Sequence, residues 1–142
     1  MAAMFFVVTM ALYFAATVSF LIYLLWPSEV LANISLGMTA TGFAAHTIAL
    51  GAGMVGVTDI SSPGFHDALS FFSWMLILVF LAVEFRHHLH VLGSFIVPLA
   101  LLSLVSAAAL PEAVPTLTPV FGTLWVHVTL SMLGTVGFAV AF

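Results

Sequence analysis

The chain has 142 residues, 64% hydrophobic and only 4% charged, with Arg86 as its single basic residue against five acidic ones and a net charge of −4. A water-soluble domain carries roughly 25% charged residues, so that class is excluded, and one arginine cannot neutralise the phosphates of a nucleic acid. Cysteine is absent, which removes disulfides, zinc–thiolate centres and thiol redox chemistry.

Five apolar stretches reach the length of about 20 residues that a spanning helix needs. The first covers 3–26 and is stopped by Pro27. It lacks the basic start and small-residue cleavage site of a signal peptide. The second covers 30–57. The third covers 67–85, with Asp67 near its N-cap. The fourth covers 89–110 and carries Pro98 inside it, which is expected to kink the helix and free a carbonyl near Ser94. The fifth covers 119–142. The connections are short, and 58–66 holds the turn signal Ser61-Ser62-Pro63-Gly64. Consecutive helices should therefore be antiparallel neighbours. Backbone polar groups in lipid must be satisfied within the segment, and nothing here alternates like a barrel strand. The expected fold is an all-α polytopic transmembrane bundle of about five spanning helices, one domain over 1–142, surrounded by membrane lipid.

Orientation follows from Arg86, which His87, His88 and His90 accompany. The positive-inside rule puts that loop in the cytoplasm and the N-terminus outside. His46 then lies about as deep from the outer surface as His127, each roughly 12–17 Å down at 1.5 Å per residue.

An imidazole inside a bilayer is costly and marks a functional site by default. His46 and His127 are the two candidates, and an imidazole pair points to a haem or metal ligand set. On the second helix, Gly42, His46, Ala49 and Gly53 follow helical spacing. On the fifth, Thr123, His127, Ser131 and Gly134 do. Such stripes leave room for a flat ligand or for a packed neighbour. Each histidine is equally readable as a structural imidazole bonded to a carbonyl or hydroxyl, with Thr41, Thr47 and Ser131 as candidate partners.

Other polar and aromatic residues have plainer readings. His87, His88 and His90 form an interfacial solvated cluster, and His66 with Asp67 forms a capping or interfacial pair. Glu84 pairs with Arg86 or extends toward water. Trp26 and Trp125 belong to an aromatic belt, and Trp74 packs within the bundle or against a cofactor.

Several phrases carry a resemblance. The second helix holds Gly42-Phe43-Ala44-Ala45-His46-Thr47-Ile48-Ala49-Leu50, and the third opens Asp67-Ala68-Leu69-Ser70-Phe71-Phe72-Ser73-Trp74. Glu84-Phe85-Arg86 precedes Val91-Leu92-Gly93-Ser94-Phe95-Ile96-Val97-Pro98-Leu99-Ala100, and the fifth helix holds Trp125-Val126-His127-Val128-Thr129-Leu130-Ser131-Met132-Leu133-Gly134. In order and spacing the chain resembles the N-terminal part of the cytochrome c assembly protein family, the haem-handling membrane proteins of the CcsA and HemX type. The family's tryptophan-rich outer loop and the histidine after it are not in these 142 residues, so a further segment or a partner subunit is expected to complete the site. The resemblance implies haem b as cofactor, His127 as an outward ligand and His46 as a second one. It also implies apocytochrome c as a partner and the bacterial inner membrane as the location.

The expected function is haem delivery or presentation at the outer face during cytochrome c assembly. No general acid, nucleophile or phosphate loop is legible, so catalytic residues are not assigned. The alternatives are a non-catalytic accessory subunit of a larger membrane complex, and an electron-transfer subunit with bis-histidine haem.

Overall fold

A computed structural model describes residues 2–55 and 65–109 and, near the C-terminus, His127, Leu130, Ser131, Leu133–Thr135, Gly137 and Phe138. Four helices follow one another: α1 (Ala2–Leu25), α2 (Glu29–Val55), α3 (Phe65–His87) and α4 (His90–Ala109). No strand occurs among the described residues. The described residues from 127 to 138 are helical and exposed; the rest of the fifth stretch, Trp125 included, lies outside the described residues.

The boundaries follow local chemistry. Pro27 cannot continue α1, and the Ser28 carbonyl accepts the first bond of α2, from Ala32 N at 2.9 Å. Asp67 lies inside the first turn of α3, where its charge suits the helix dipole. At the other end of α3, Arg86 and His87 occupy the last turn. His88 then adopts a left-handed backbone, φ 51°, while its N–H still bonds to Glu84 O at 2.9 Å. That position usually belongs to glycine or asparagine.

Among the described residues, three helices are long and apolar enough to cross a membrane: Ala3–Leu25, His66–His87 and His90–Ala109. α2 has the length, but Asn33, Ser35, Thr39, Thr41, His46, Thr47 and its glycines dilute its hydropathy. Large apolar side chains face outward, among them Phe14, Leu25, Trp26, Val30, Phe85, Phe95 and Leu102. This apolar exterior suits contact with lipid.

The core lies between α1, α3 and α4. Tyr13, Ala16 and Phe20 of α1 meet Leu76, Ile77 and Phe80 of α3 and Val97, Ala100 and Leu104 of α4. Phe20 and Phe80 meet edge to face, 5.9 Å between centroids, over Gly93. Serines tie the helices together: Ser73 Oγ donates to Ala100 O at 2.8 Å, and Ser94 Oγ donates to Phe20 O at 3.1 Å. Ser35 and Ser19 join α2 to α1 at 2.7 Å. Without a hydrophobic drive between helices in lipid, such bonds and close packing hold a bundle together.

One expectation holds only in part. α1 packs broadly on α2 and α4, and α3 on α4, but α2 and α3 meet over a short stretch only. Side-chain bonds join α2 to α3 at His46–Ser70 and Thr47–Trp74, and toward the Arg86 end the two helices line a cleft.

Candidate functional site

His46 is wholly buried where three helices meet. Its Nδ1 lies 3.5 Å from the Tyr13 hydroxyl of α1, and its Nε2 lies 3.2 Å from Ser70 Oγ of α3. Tyr13 is wholly buried and Ser70 nearly so. A neutral imidazole offers one donor and one acceptor, and two hydroxyls satisfy both nitrogens in either tautomer. Close approach of α1 makes this possible. The stripe of Gly42, His46 and Ala49 is buried, and a Cβ on Gly42 would stand 2.7 Å from Tyr13 Cε1. The small residues therefore admit a neighbouring helix on this side.

Thr41 and Thr47, candidate partners by sequence, instead donate to carbonyls one turn back, at Gly37 and Phe43. Thr47 Oγ1 also accepts a bond from Trp74 Nε1 at 2.9 Å. Trp74 stacks on Phe43 (5.4 Å, 24°) and on Phe71 (5.8 Å, 17°). These rings and the Trp74–Thr47 bond join α2 to α3. Toward the same end, His66 pairs with Asp67 at 3.4 Å and stacks on Phe6 at 6.2 Å.

His127 is helical and exposed. The two ring nitrogens of His46 face Tyr13 and Ser70, so the described contacts do not bring the two histidines together. Ser131, another candidate partner, has its carbonyl occupied by Thr135 Oγ1 at 2.9 Å. Trp125 and Thr123 lie outside the described residues.

The other end of the seam holds a second polar group. The antiparallel register that sets Phe43 against Trp74 carries Asn33 opposite Glu84. There the helices frame a cleft of about 320 Å³ lined by Glu29, Asn33, Leu36, Glu84, Phe85, His88 and His90. Glu84 is buried, with 1% of its surface exposed. Its Oε1 contacts His90 Nδ1 at ion-pair distance. The expected pairing with Arg86 is not formed. Residues two apart on a helix do not face one another, and Arg86 is exposed while Glu84 turns inward. His90 likewise leaves the solvated cluster: a quarter of its side chain is exposed, and its ring meets Tyr23 edge to face at 6.0 Å. His87 and His88 remain exposed.

Sequence reasoning missed Tyr13, Ser70 and the Glu84–His90 pair. The only signal for the last was a lone carboxylate within an apolar helix, which in a membrane calls for an inward partner.

Set against family models, curated proteins and solved structures, the chain matches none.

An iron porphyrin supplies four donors itself and takes one or two axial ligands from the protein, histidine commonly among them. The donor set at His46 fits that need on its Nε2 side. With Nδ1–H donating to the Tyr13 oxygen, the ring is fixed in the orienting manner usual for metal-bound histidine. Nε2 then points across the seam to Ser70, whose hydroxyl an iron would displace.

Proposed function

We propose that the protein binds haem b at the α2–α3 seam and hands it on at the outer face during cytochrome c assembly. The observation that carries this reading is the His46 imidazole. It is buried, with Tyr13 at Nδ1 and with Nε2 turned toward Ser70 of α3, and the stacked rings of Phe43, Phe71 and Trp74 join the same two helices, α2 and α3. Aromatic faces suit the flat apolar body of a porphyrin. His46 is one axial ligand. His127 is the outward ligand, as the resemblance to the CcsA and HemX type implies. Haem supplies the redox-active iron; the chain's own residues bind it, orient it and keep water from it.

In this reading about five helices span the bacterial inner membrane with the N-terminus outside. A partner subunit completes the outward site and meets apocytochrome c. The polar content of α2 supports a neighbour there in place of lipid.

Absorption spectroscopy tests the assignment. The full chain, purified mildly and supplied with haem, is expected to show a Soret band that shifts or weakens in His46→Ala and in His127→Ala. Absence of any Soret band sinks haem binding by this chain, and a spectrum indifferent to both substitutions removes both ligands.

A second reading, a non-catalytic accessory subunit, is favoured by the outward face of α2. Gly37, Thr41, Ala44 and Gly51 are exposed there, and a Cβ on Gly37 or Gly51 would meet nothing within 4 Å. Small residues at helical spacing let another transmembrane helix approach closely.

A further inference from the structure

The cleft at the Arg86 end is not used by the haem reading, and it has the chemistry of a ligand site. Its floor is Glu84, nearly wholly buried, with Oε1 at ion-pair distance from His90 Nδ1 and with neither carboxylate oxygen making a hydrogen bond among the described residues. A buried carboxylate oxygen without a donor is a group that needs explaining.

The Glu84–His90 contact also fixes the imidazole. With the proton held on Nδ1, facing the Glu84 carboxylate, the lone pair is left on Nε2. His90 Nδ1 is buried while a quarter of the side chain is exposed, so the accessible part of the ring lies away from Glu84. A carboxylate that orients a histidine through one nitrogen and leaves the other as a ligand is the recurrent second layer of a metal site. His88, whose ring lies 6.4 Å from that of His90, and Glu29, in the first turn of α2, line the same cleft. Both are exposed and have room to turn. Among the described residues no three such donors already converge, so the ion must draw Glu29 and His88 toward it.

We propose that this cleft binds a first-row divalent metal ion, with His90 Nε2 as anchoring ligand, Glu84 as positioning residue, and Glu29 and His88 completing the donors. Mixed imidazole and carboxylate donors suit zinc, cobalt or nickel and disfavour magnesium and calcium, which prefer oxygen alone. Water on the ion supplies the donor that Glu84 Oε2 lacks. Asn33, across the cleft, offers its amide to the same water shell. The site does not depend on the haem reading, since neither His46 nor His127 takes part.

Zinc chloride titrated calorimetrically into the full chain in nanodiscs, with cobalt(II) chloride followed by visible absorption, tests the proposal. One ion per chain is expected. His90→Ala should abolish binding. Glu84→Gln should weaken it about 10- to 100-fold, the usual effect of losing such a partner. Glu29→Gln, an exposed change that leaves the helices intact, should weaken it as well, so the test survives if Glu84→Gln fails to fold. His87→Ala and His127→Ala should bind as the parent does. No binding overturns the proposal. So does binding that ignores Glu84→Gln and Glu29→Gln but falls in His87→Ala, because the ion then sits on the surface histidines.

Discussion

The Tyr13 hydroxyl reaches Nδ1 of His46 across the α1–α2 contact, 3.5 Å away, because Gly42 leaves the phenol ring room one turn below the imidazole. Gly42→Ala would put a Cβ 2.7 Å from Tyr13 Cε1 and 3.3 Å from Leu12 Cβ. The ring is wholly buried, so it cannot yield by swinging into solvent. Overpacking of this kind costs about 1–3 kcal/mol. Thermal unfolding in detergent should show Gly42→Ala well below the parent protein. An unchanged midpoint would mean that the ring yields without cost.

The two hydroxyls on His46 predict opposite effects on haem. Tyr13→Phe removes the group that orients the imidazole and should weaken the Soret band about 10- to 100-fold in haem affinity, as loss of such a partner does elsewhere. Ser70→Ala removes the competitor for Nε2 and should leave affinity equal or raised. Haem titrations of the two variants decide this. If Ser70→Ala lost haem while Tyr13→Phe kept it, the ligating nitrogen would be Nδ1, and the seam would not be the haem side. In stability each variant should cost roughly 1 kcal/mol, since side-chain bonds between membrane helices are modest.

Among the described glycines, Gly93 is the most tightly enclosed. A Cβ there would stand 2.5 Å from two Phe20 atoms and 2.9 Å from Phe80 Cζ, and both rings are wholly buried. Gly93→Ala must part α4 from α1 and α3, and it should destabilise by about 3 kcal/mol or abolish folding. Gly37 and Gly51 meet nothing within 4 Å. Gly37→Ala and Gly51→Ala should therefore be neutral or stabilising by up to about 1 kcal/mol, from helix propensity alone. The contrast is read in one unfolding series. If Gly37→Leu folds normally yet loses co-purifying membrane proteins, the accessory reading gains at the expense of haem delivery.

The helices were legible in the sequence because an apolar run of spanning length has few alternatives. α1 and α4 begin and end within a residue or two of the expected limits. Pairings across helices were less legible. Nothing local to Ser70 or Tyr13 says that either will meet His46, because helix rotation and register decide that, and both come from packing. Glu84 shows the limit well. Proximity in sequence favoured Arg86, but the helical repeat turns Arg86 away, and Glu84 instead meets His90, which lies beyond the end of α3. The reach of His90 depended on the left-handed turn at His88, which the sequence does not announce.

Glu84 and His90 should behave as a coupled pair. His90→Ala strands a buried carboxyl and should cost about 3 kcal/mol, toward the value for breaking a buried pair. Replacing both residues with leucine should cost less than the two single changes together, because no polar group is then left alone. Arg86→Ala, at an exposed side chain, should stay within about 0.5 kcal/mol of the parent. A double-mutant cycle on unfolding free energy measures the coupling. Additive single changes would mean that the contact contributes nothing.

His88 holds a backbone conformation that an L-residue reaches at a cost of about 1–2 kcal/mol. His88→Gly removes that strain, though glycine also loosens the unfolded chain, so a net gain of up to about 1 kcal/mol is expected. The same change removes an imidazole from the cleft at the Arg86 end. A more stable protein that binds zinc more weakly is therefore the outcome that both lines of reasoning share. His88→Asn separates them: asparagine tolerates the left-handed turn but is a poorer zinc donor, so it should keep most of the parent stability while showing the same weakened zinc binding. A variant that binds zinc as the parent does would leave His88 only its turn to make.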